Sequence, residues 1–268
     1  MESPGKDLAR QIVVISATGY MLVAAAVGSG LLGGTSVQDL QGGALGADGS
    51  FLAPASPAFS IWSVIYLLLI AYAVWQALPS QRSRARQRAV GWWIATTAVL
   101  NGTWLVLAQF TTLVLTVAGI VLLLLALCAT FVQTLRYPAE GFVDSILIDG
   151  ATGLHLGWVS LATVANISAW LTAVGPSWWA EAADVWGIIT LVLVGVIGVM
   201  IASASGWRVT PGLAMGWGLA WIAVGRLQGE PPSEAIGITA AVVSVVVIAV
   251  PVIGTLAARA VAMRNAEA

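Results

Sequence analysis

Long apolar runs separated by short polar breaks fill most of the chain. Eight runs read as helical spans, near residues 11–33, 58–78, 90–110, 112–134, 147–173, 184–204, 209–225 and 235–258. A helix needs about 20 mostly apolar residues to cross a bilayer. The runs lack the strict alternation that a membrane barrel strand requires. The third and fourth are split only around Gln109 to Thr112, which predicts a tight hairpin. The seventh, short and rich in glycine and tryptophan, gives the weakest signal. The first follows Lys6 and Arg10 and ends in small residues, as a signal peptide would. Its apolar run is longer than the core of about 7–15 residues in such peptides, so it is read as a retained span.

Composition agrees with the pattern. Of 268 residues, 59% are hydrophobic and 9% charged, against about 25% charged in a soluble domain. The predicted fold is therefore all-α, a polytopic transmembrane helical bundle whose first partner is the lipid bilayer. A net charge of −1 gives no reason to expect nucleic acid. Cys128 stands alone, so neither an internal disulfide nor a cysteine metal cluster is expected. His155 also stands alone, which excludes a multi-histidine site. No nucleophile–base pair or intramembrane acid pair is evident, and no catalytic residue is assigned.

The basic residues set an expected orientation. With the N-terminus inside, the inner segments hold Lys6, Arg10, Arg82, Arg84, Arg86, Arg88, Arg136, Arg208, Arg259 and Arg264, and the outer ones hold only Arg226. Both termini are then cytoplasmic, and the cluster "SQRSRARQR" reads as a lipid-facing topogenic signal. Trp92, Trp93, Trp178, Trp179, Trp186 and Trp207 fall near span ends and read as interfacial anchors.

One polar segment is long: "GTSVQDLQGGALGADGSFLAPASP", residues 34 to 57, on the outer side. Long loops in compact domains tend to be lids, binding loops or disorder. It leads into "SPAFSIWSVIYLLLIAYAVWQ", where Phe59, Trp62 and Tyr66 share one helix face at spacings of three and four. The third span sets Asn101 and Trp104 one turn apart in its outer half. On the fifth, His155, Trp158, Ala162 and Asn166 fall on one face. Three spans thus bring aromatic rings and amides or a phenol to similar depth beneath the long loop. Amides buried in a membrane must find partners, either in another helix or in a ligand. The predicted ligand-binding set is Phe59, Trp62, Tyr66, Asn101, Trp104, Trp158, Ala162 and Asn166. A lone intramembrane histidine is ordinarily a hydrogen-bonding core residue, and His155 is read that way rather than as a haem ligand.

The segments "PAFSIWSVIYLLLIAYAVW", "LNGTW" and "WVSLATVAN" resemble the tryptophan-rich sensory protein family, the bacterial and mitochondrial translocator proteins (TspO/MBR, peripheral benzodiazepine receptor). The matching positions are Pro57, Phe59, Trp62 and Tyr66, then Leu100, Asn101 and Trp104, then Trp158, Ser160, Ala162, Thr163 and Asn166. The resemblance implies a five-helix translocator-like core in residues 1–174, with a pocket capped by the loop between the first two helices. It implies flat apolar ligands: porphyrin, haem and, in animal members, sterols. No cofactor is required, and a bacterial cell membrane is the expected location. The chain departs from the family pattern at Leu154 and His155, where Pro-Tyr is common, and at Ala173, where a second asparagine is expected. No sterol-type L/V-x-Y-x-K/R pattern closes the fifth span. Residues 175–268 lie outside the resemblance and hold about three additional helices. These could pack beside the bundle, form a homodimer contact or add another site, and "GLAMG" (Gly212, Gly216) offers a close-packing face. Because the motifs end before residue 175, the site is expected to be complete without them. The functional expectation is a sensory or regulatory protein binding a tetrapyrrole-like or other flat hydrophobic ligand. The alternatives are a transporter of a small hydrophobic molecule and a membrane enzyme of porphyrin or carotenoid metabolism.

Overall fold

The computed structural model describes residues 4–176 and 178–267. Eight long helices follow the eight apolar runs: α1 (Pro4–Gly28), α2 (Ile61–Gln76), α3 (Ala85–Phe110), α4 (Leu113–Arg136), α5 (Phe142–Val174), α6 (Ala183–Ala204), α7 (Thr210–Gln228) and α8 (Glu234–Glu267). A 3₁₀ turn, Ser56–Ser60, leads into α2, and a single helical turn, Trp178–Glu181, precedes α6. No strand occurs among the described residues. All of the long helices except α7, with α2 counted together with its 3₁₀ lead-in as Ser56–Gln76, are long and apolar enough to cross a membrane, and the protein is an integral membrane protein. The exception has a packing reason. Most of α7 is buried, including Gly212, Met215, Leu219 and Arg226. A helix whose surroundings are largely protein has less need of an apolar surface.

The first five helices close into a ring. α1 packs on α3, α3 on α4, α4 on α5, and α2 completes the circuit by touching both α5 and α1. The ring core includes Met21, Ile65, Leu69, Tyr72, Leu127 and Trp158. Outside the ring, α7 packs along α5, α8 along α7, and α6 along α8. Of the three roles left open for residues 175–268, packing beside the bundle is the one the described residues show.

With lipid tails as apolar as leucine, helices associate through close packing rather than through a hydrophobic drive. Glycines make that packing here. A Cβ at Gly157 would lie 2.1 Å from the Pro211 carbonyl oxygen, so only glycine lets α5 meet α7 so closely. On α7, a Cβ at Gly212 would lie 2.2 Å from the Val247 carbonyl oxygen. Pro251, inside α8, has no N–H to offer that carbonyl. The Ser244 hydroxyl donates to the Gly216 carbonyl at 2.7 Å. The "GLAMG" face is therefore used within the chain, against α8.

The helices alternate in direction, so the loops sort to two ends. One end carries the arginine-rich segments, the other the long loop 34–57. At the arginine end the "SQRSRARQR" cluster is not a lipid-facing patch. Arg86 is buried between Asp144, at 2.9 Å, and Asp149. Asp144 and Asp149 are five residues apart across a π-helical stretch, Ser145–Gly150. The wider i→i+5 winding sets both carboxylates on one side of α5. Asp149 also pairs with Arg208 at 3.0 Å, and Arg208 donates to the Thr134 hydroxyl at 2.8 Å. Arg88 pairs with Asp7, Arg84 with Glu140, and Arg82 donates to Gln11 Oε1 at 3.0 Å. Trp92, Trp93, Trp178, Trp179 and Trp186 are exposed near helix ends, where indoles sit at headgroup level.

Candidate functional site

Helix spacing brings the predicted residues together beneath the loop. On α2, the Trp62 and Tyr66 rings stack at 5.1 Å between centroids, 26° apart. Trp62 also meets the edges of His155 at 5.7 Å and Trp158 at 6.1 Å. Phe59 meets Trp158 edge-on at 5.8 Å. The offset and edge-to-face geometries are those that ring quadrupoles favour.

A chain of hydrogen bonds lies under the rings. The Tyr66 hydroxyl donates to Asn101 Oδ1 at 3.3 Å, and Asn101 Nδ2 lies 3.1 Å from His155 Nε2. With the amide nitrogen as donor, His155 Nε2 accepts, which calls for the neutral ring with its proton on Nδ1. Higher up, the Thr116 hydroxyl of α4 lies 2.9 Å from Asn166 Oδ1. The asparagines thus serve as bridges between helices: α2, α3 and α5 meet through Asn101, and α4 and α5 through Asn166.

Above this network is a small, partly open cavity of about 50 Å³. Phe59, Trp104, Trp158, Ala162 and Asn166 line its helical wall, and Val37, Ala44–Gly46, Ala53 and Pro54 form its roof. Trp62, Tyr66 and Asn101 are not among its lining residues; they pack and hydrogen-bond below it. The indole N–H groups of Trp104 and Trp158 are buried and have no hydrogen-bond partner among the described residues. Unpaired buried donors are uncommon, because each costs roughly 1–3 kcal/mol.

The roof is held from two sides. At its start, Gln109 donates to the Thr35 carbonyl at 3.0 Å and Gln41 donates to the Ala108 carbonyl at 3.3 Å, tying it to the α3–α4 hairpin. At its end it is tied to α7. Trp217 Nε1 donates to the Ala58 carbonyl at 2.9 Å, and the Ala55 N–H donates to the Trp221 carbonyl at 3.1 Å. The buried Arg226 fork closes the arrangement. Nη1 donates to the carbonyls of Ser50 at 3.2 Å and Pro231 at 2.8 Å. Nη2 donates to those of Ala47 and Glu230, each at 2.8 Å.

Several of these residues escape sequence reasoning. Thr116, one hydroxyl in an apolar run, carries no signal. His155 is legible as a core residue, but its place beside Trp62 and Asn101 is not. Arg226, Trp217 and Trp221 lie in the last third of the chain, beyond the motifs. Their glycine- and tryptophan-rich helix was the only available signal.

The fold and site geometry bear on kinship. The sequence model of a family described as TSPO-like protein matches residues 10–253. The match continues past residue 174 and takes in most of the last three helices. Comparison with curated proteins gives no match, and comparison with solved structures gives none. With well over half of its length matched, the chain belongs to the TSPO-like protein family.

Proposed function

We propose that the protein binds a flat, largely apolar ligand bearing a hydrogen-bond acceptor, with protoporphyrin as the first candidate, under the 34–57 loop, in a sensory or regulatory role. The observation that carries this reading is that two tryptophans lining one cavity, Trp104 and Trp158, each hold a buried indole N–H with no partner among the described residues. A ligand acceptor reaching these N–H groups once the roof lifts would give them a partner, while the surrounding rings offer stacking surface. The cavity, at about 50 Å³, is below the range of about 300–1,000 Å³ typical of ligand pockets. Binding a macrocycle therefore requires the roof to lift and Phe59 to turn aside. Haem ligation by His155 is not part of the reading, because Nε2 is engaged with Asn101 and the ring is enclosed. Sensing is favoured over transport because a transporter needs a path to both faces. Below the cavity lie the Tyr66–Asn101–His155 chain and then the buried Arg86 cluster.

Titration of the purified protein with protoporphyrin, followed by porphyrin absorbance, tests this. Trp104→Phe and Trp158→Phe keep a ring but remove the donor. Each should weaken binding about 2–10-fold, the value of one net hydrogen bond. Trp93→Phe, at the membrane interface, should leave it unchanged. Equal affinity in all three variants would sink the assignment.

The same reading places the loop end outside a bacterial cell and both termini in the cytoplasm, as the arginine distribution suggests. In a Cys128→Ala background, Leu45→Cys should react with an impermeant thiol reagent on intact cells and Arg84→Cys should not. Labelling at position 84 alone would reverse the orientation.

A further inference from the structure

A second, larger space lies outside the ring. α5 and α6 both pack on α7 yet scarcely touch each other, and at the loop end they leave a crevice of about 660 Å³ between them. That volume is within the range of ligand sites. None of its lining residues is charged. Trp178, Trp179 and Trp186 are exposed and belong to its lining, and indoles favour headgroup level. The crevice therefore opens toward the bilayer, with these indoles at the depth where lipid chains begin.

The crevice also holds three hydroxyls. Ser168 and Thr172, one turn apart on α5, and Thr190 on α6 all line it. None has a hydrogen-bond partner among the described residues. Lower on α5 the situation differs: Ser160 donates to the Leu156 carbonyl at 2.8 Å and Thr163 to the Val159 carbonyl at 2.7 Å. Ser168 and Thr190 are half-buried and Thr172 is exposed, so all three hydroxyls are open to an occupant with polar atoms at that height.

We propose that this crevice is a binding site for one ester-linked glycerolipid of the loop-side leaflet. An acyl chain fills the apolar groove, and an ester oxygen accepts from the Ser168, Thr172 and Thr190 hydroxyls. The absence of charge in the lining matches the neutral ester region of a lipid. The missing wall between α5 and α6 lets a chain enter sideways. Phe51 and Leu52 of the loop line this crevice while the next two residues, Ala53 and Pro54, line the small cavity. The bound chain thus lies against the outer side of the roof.

Photo-crosslinking of the full chain in phosphatidylcholine vesicles doped with a diazirine-tailed phosphatidylcholine tests the site, with labelled positions mapped by mass spectrometry. Labelling at 164–172 and 183–190 should exceed that on the lipid-facing Leu122, Leu125, Val245 and Ile253 about fivefold, a factor that one net hydrogen bond can supply. Ser168→Phe should fill the groove and bring its labelling down to that of the other faces. Thr172→Val, which changes little in volume, should lower it severalfold even if the larger substitution fails to fold. Uniform labelling of all lipid-facing helices would mean annular lipid only and overturn the proposal. So would labelling unchanged in Thr172→Val, or displacement of the label by protoporphyrin, which would make the crevice part of the cavity's ligand site.

Discussion

Arg86→Leu is expected to lower the stability of the folded bundle by about 3–5 kcal/mol, the usual cost of removing one member of a buried ion pair. The Arg86 side chain is 3% exposed and holds two carboxylates, Asp144 at 4% and Asp149 at 14%. Leucine would leave Asp144 buried with only the Glu140 N–H, at 2.9 Å, to meet its charge. Asp149 would fare better, because Arg208 remains 3.0 Å away. The double variant Arg86→Leu, Asp144→Leu should therefore recover much of the loss, since apolar replacement of a whole buried pair is often neutral or better. Unfolding titrations of the three proteins in one mixed-micelle system would check this. A single variant as stable as the parent would show that water reaches the cluster and that the pair contributes little.

Arg226→Met should produce the second large effect, about 2–4 kcal/mol, with a different signature. Arg226 is 1% exposed, and its guanidinium bridges two loops through four backbone carbonyls. Hydrogen bonds to a charged group are worth about 1.5–3 kcal/mol each, but loops that open regain water, so the net loss is smaller than the sum. Local loosening should be the main consequence. Hydrogen exchange of amides 44–55 should speed up, while that of α1 and α4 stays slow. Arg226→Lys should be intermediate, because an ammonium keeps the charge but lacks the planar fork. Unchanged exchange in the loop would mean that Gln41, Trp217 and Trp221 hold it without the arginine.

Much of the fold was legible because lipid leaves few choices. A backbone in hydrocarbon must satisfy itself, so length and apolarity alone mark helices. α7 was faint for the same reason: packed among other helices, it carries glycines and an arginine that a lipid-facing helix would avoid. The site was legible as far as helix geometry reaches. Spacings of three and four put Phe59, Trp62 and Tyr66 on one face, and His155, Trp158, Ala162 and Asn166 on another. What those faces meet is set by contacts between distant parts of the chain. Asn101 was bound to have a partner, but nothing local points to His155, 54 positions away. The acids that neutralise Arg86 and Arg88 are likewise far along the chain. Arg226 was hardest to read, because its partners are backbone carbonyls, which every residue offers.

The Arg226 fork also orders events during biogenesis. It reaches back 176 residues to the Ser50 carbonyl. At about 5–20 residues per second, the ribosome needs on the order of 10–35 s to deliver the arginine after the loop has emerged. Once α5 has been made, for the last 52 residues of that interval, or about 3–10 s, the nascent ring has its rings and its asparagines but no fastening on the α7 side. Under the proposed function, a hydrophobic ligand would meet an unlatched roof then, and a latched one once α7 has docked.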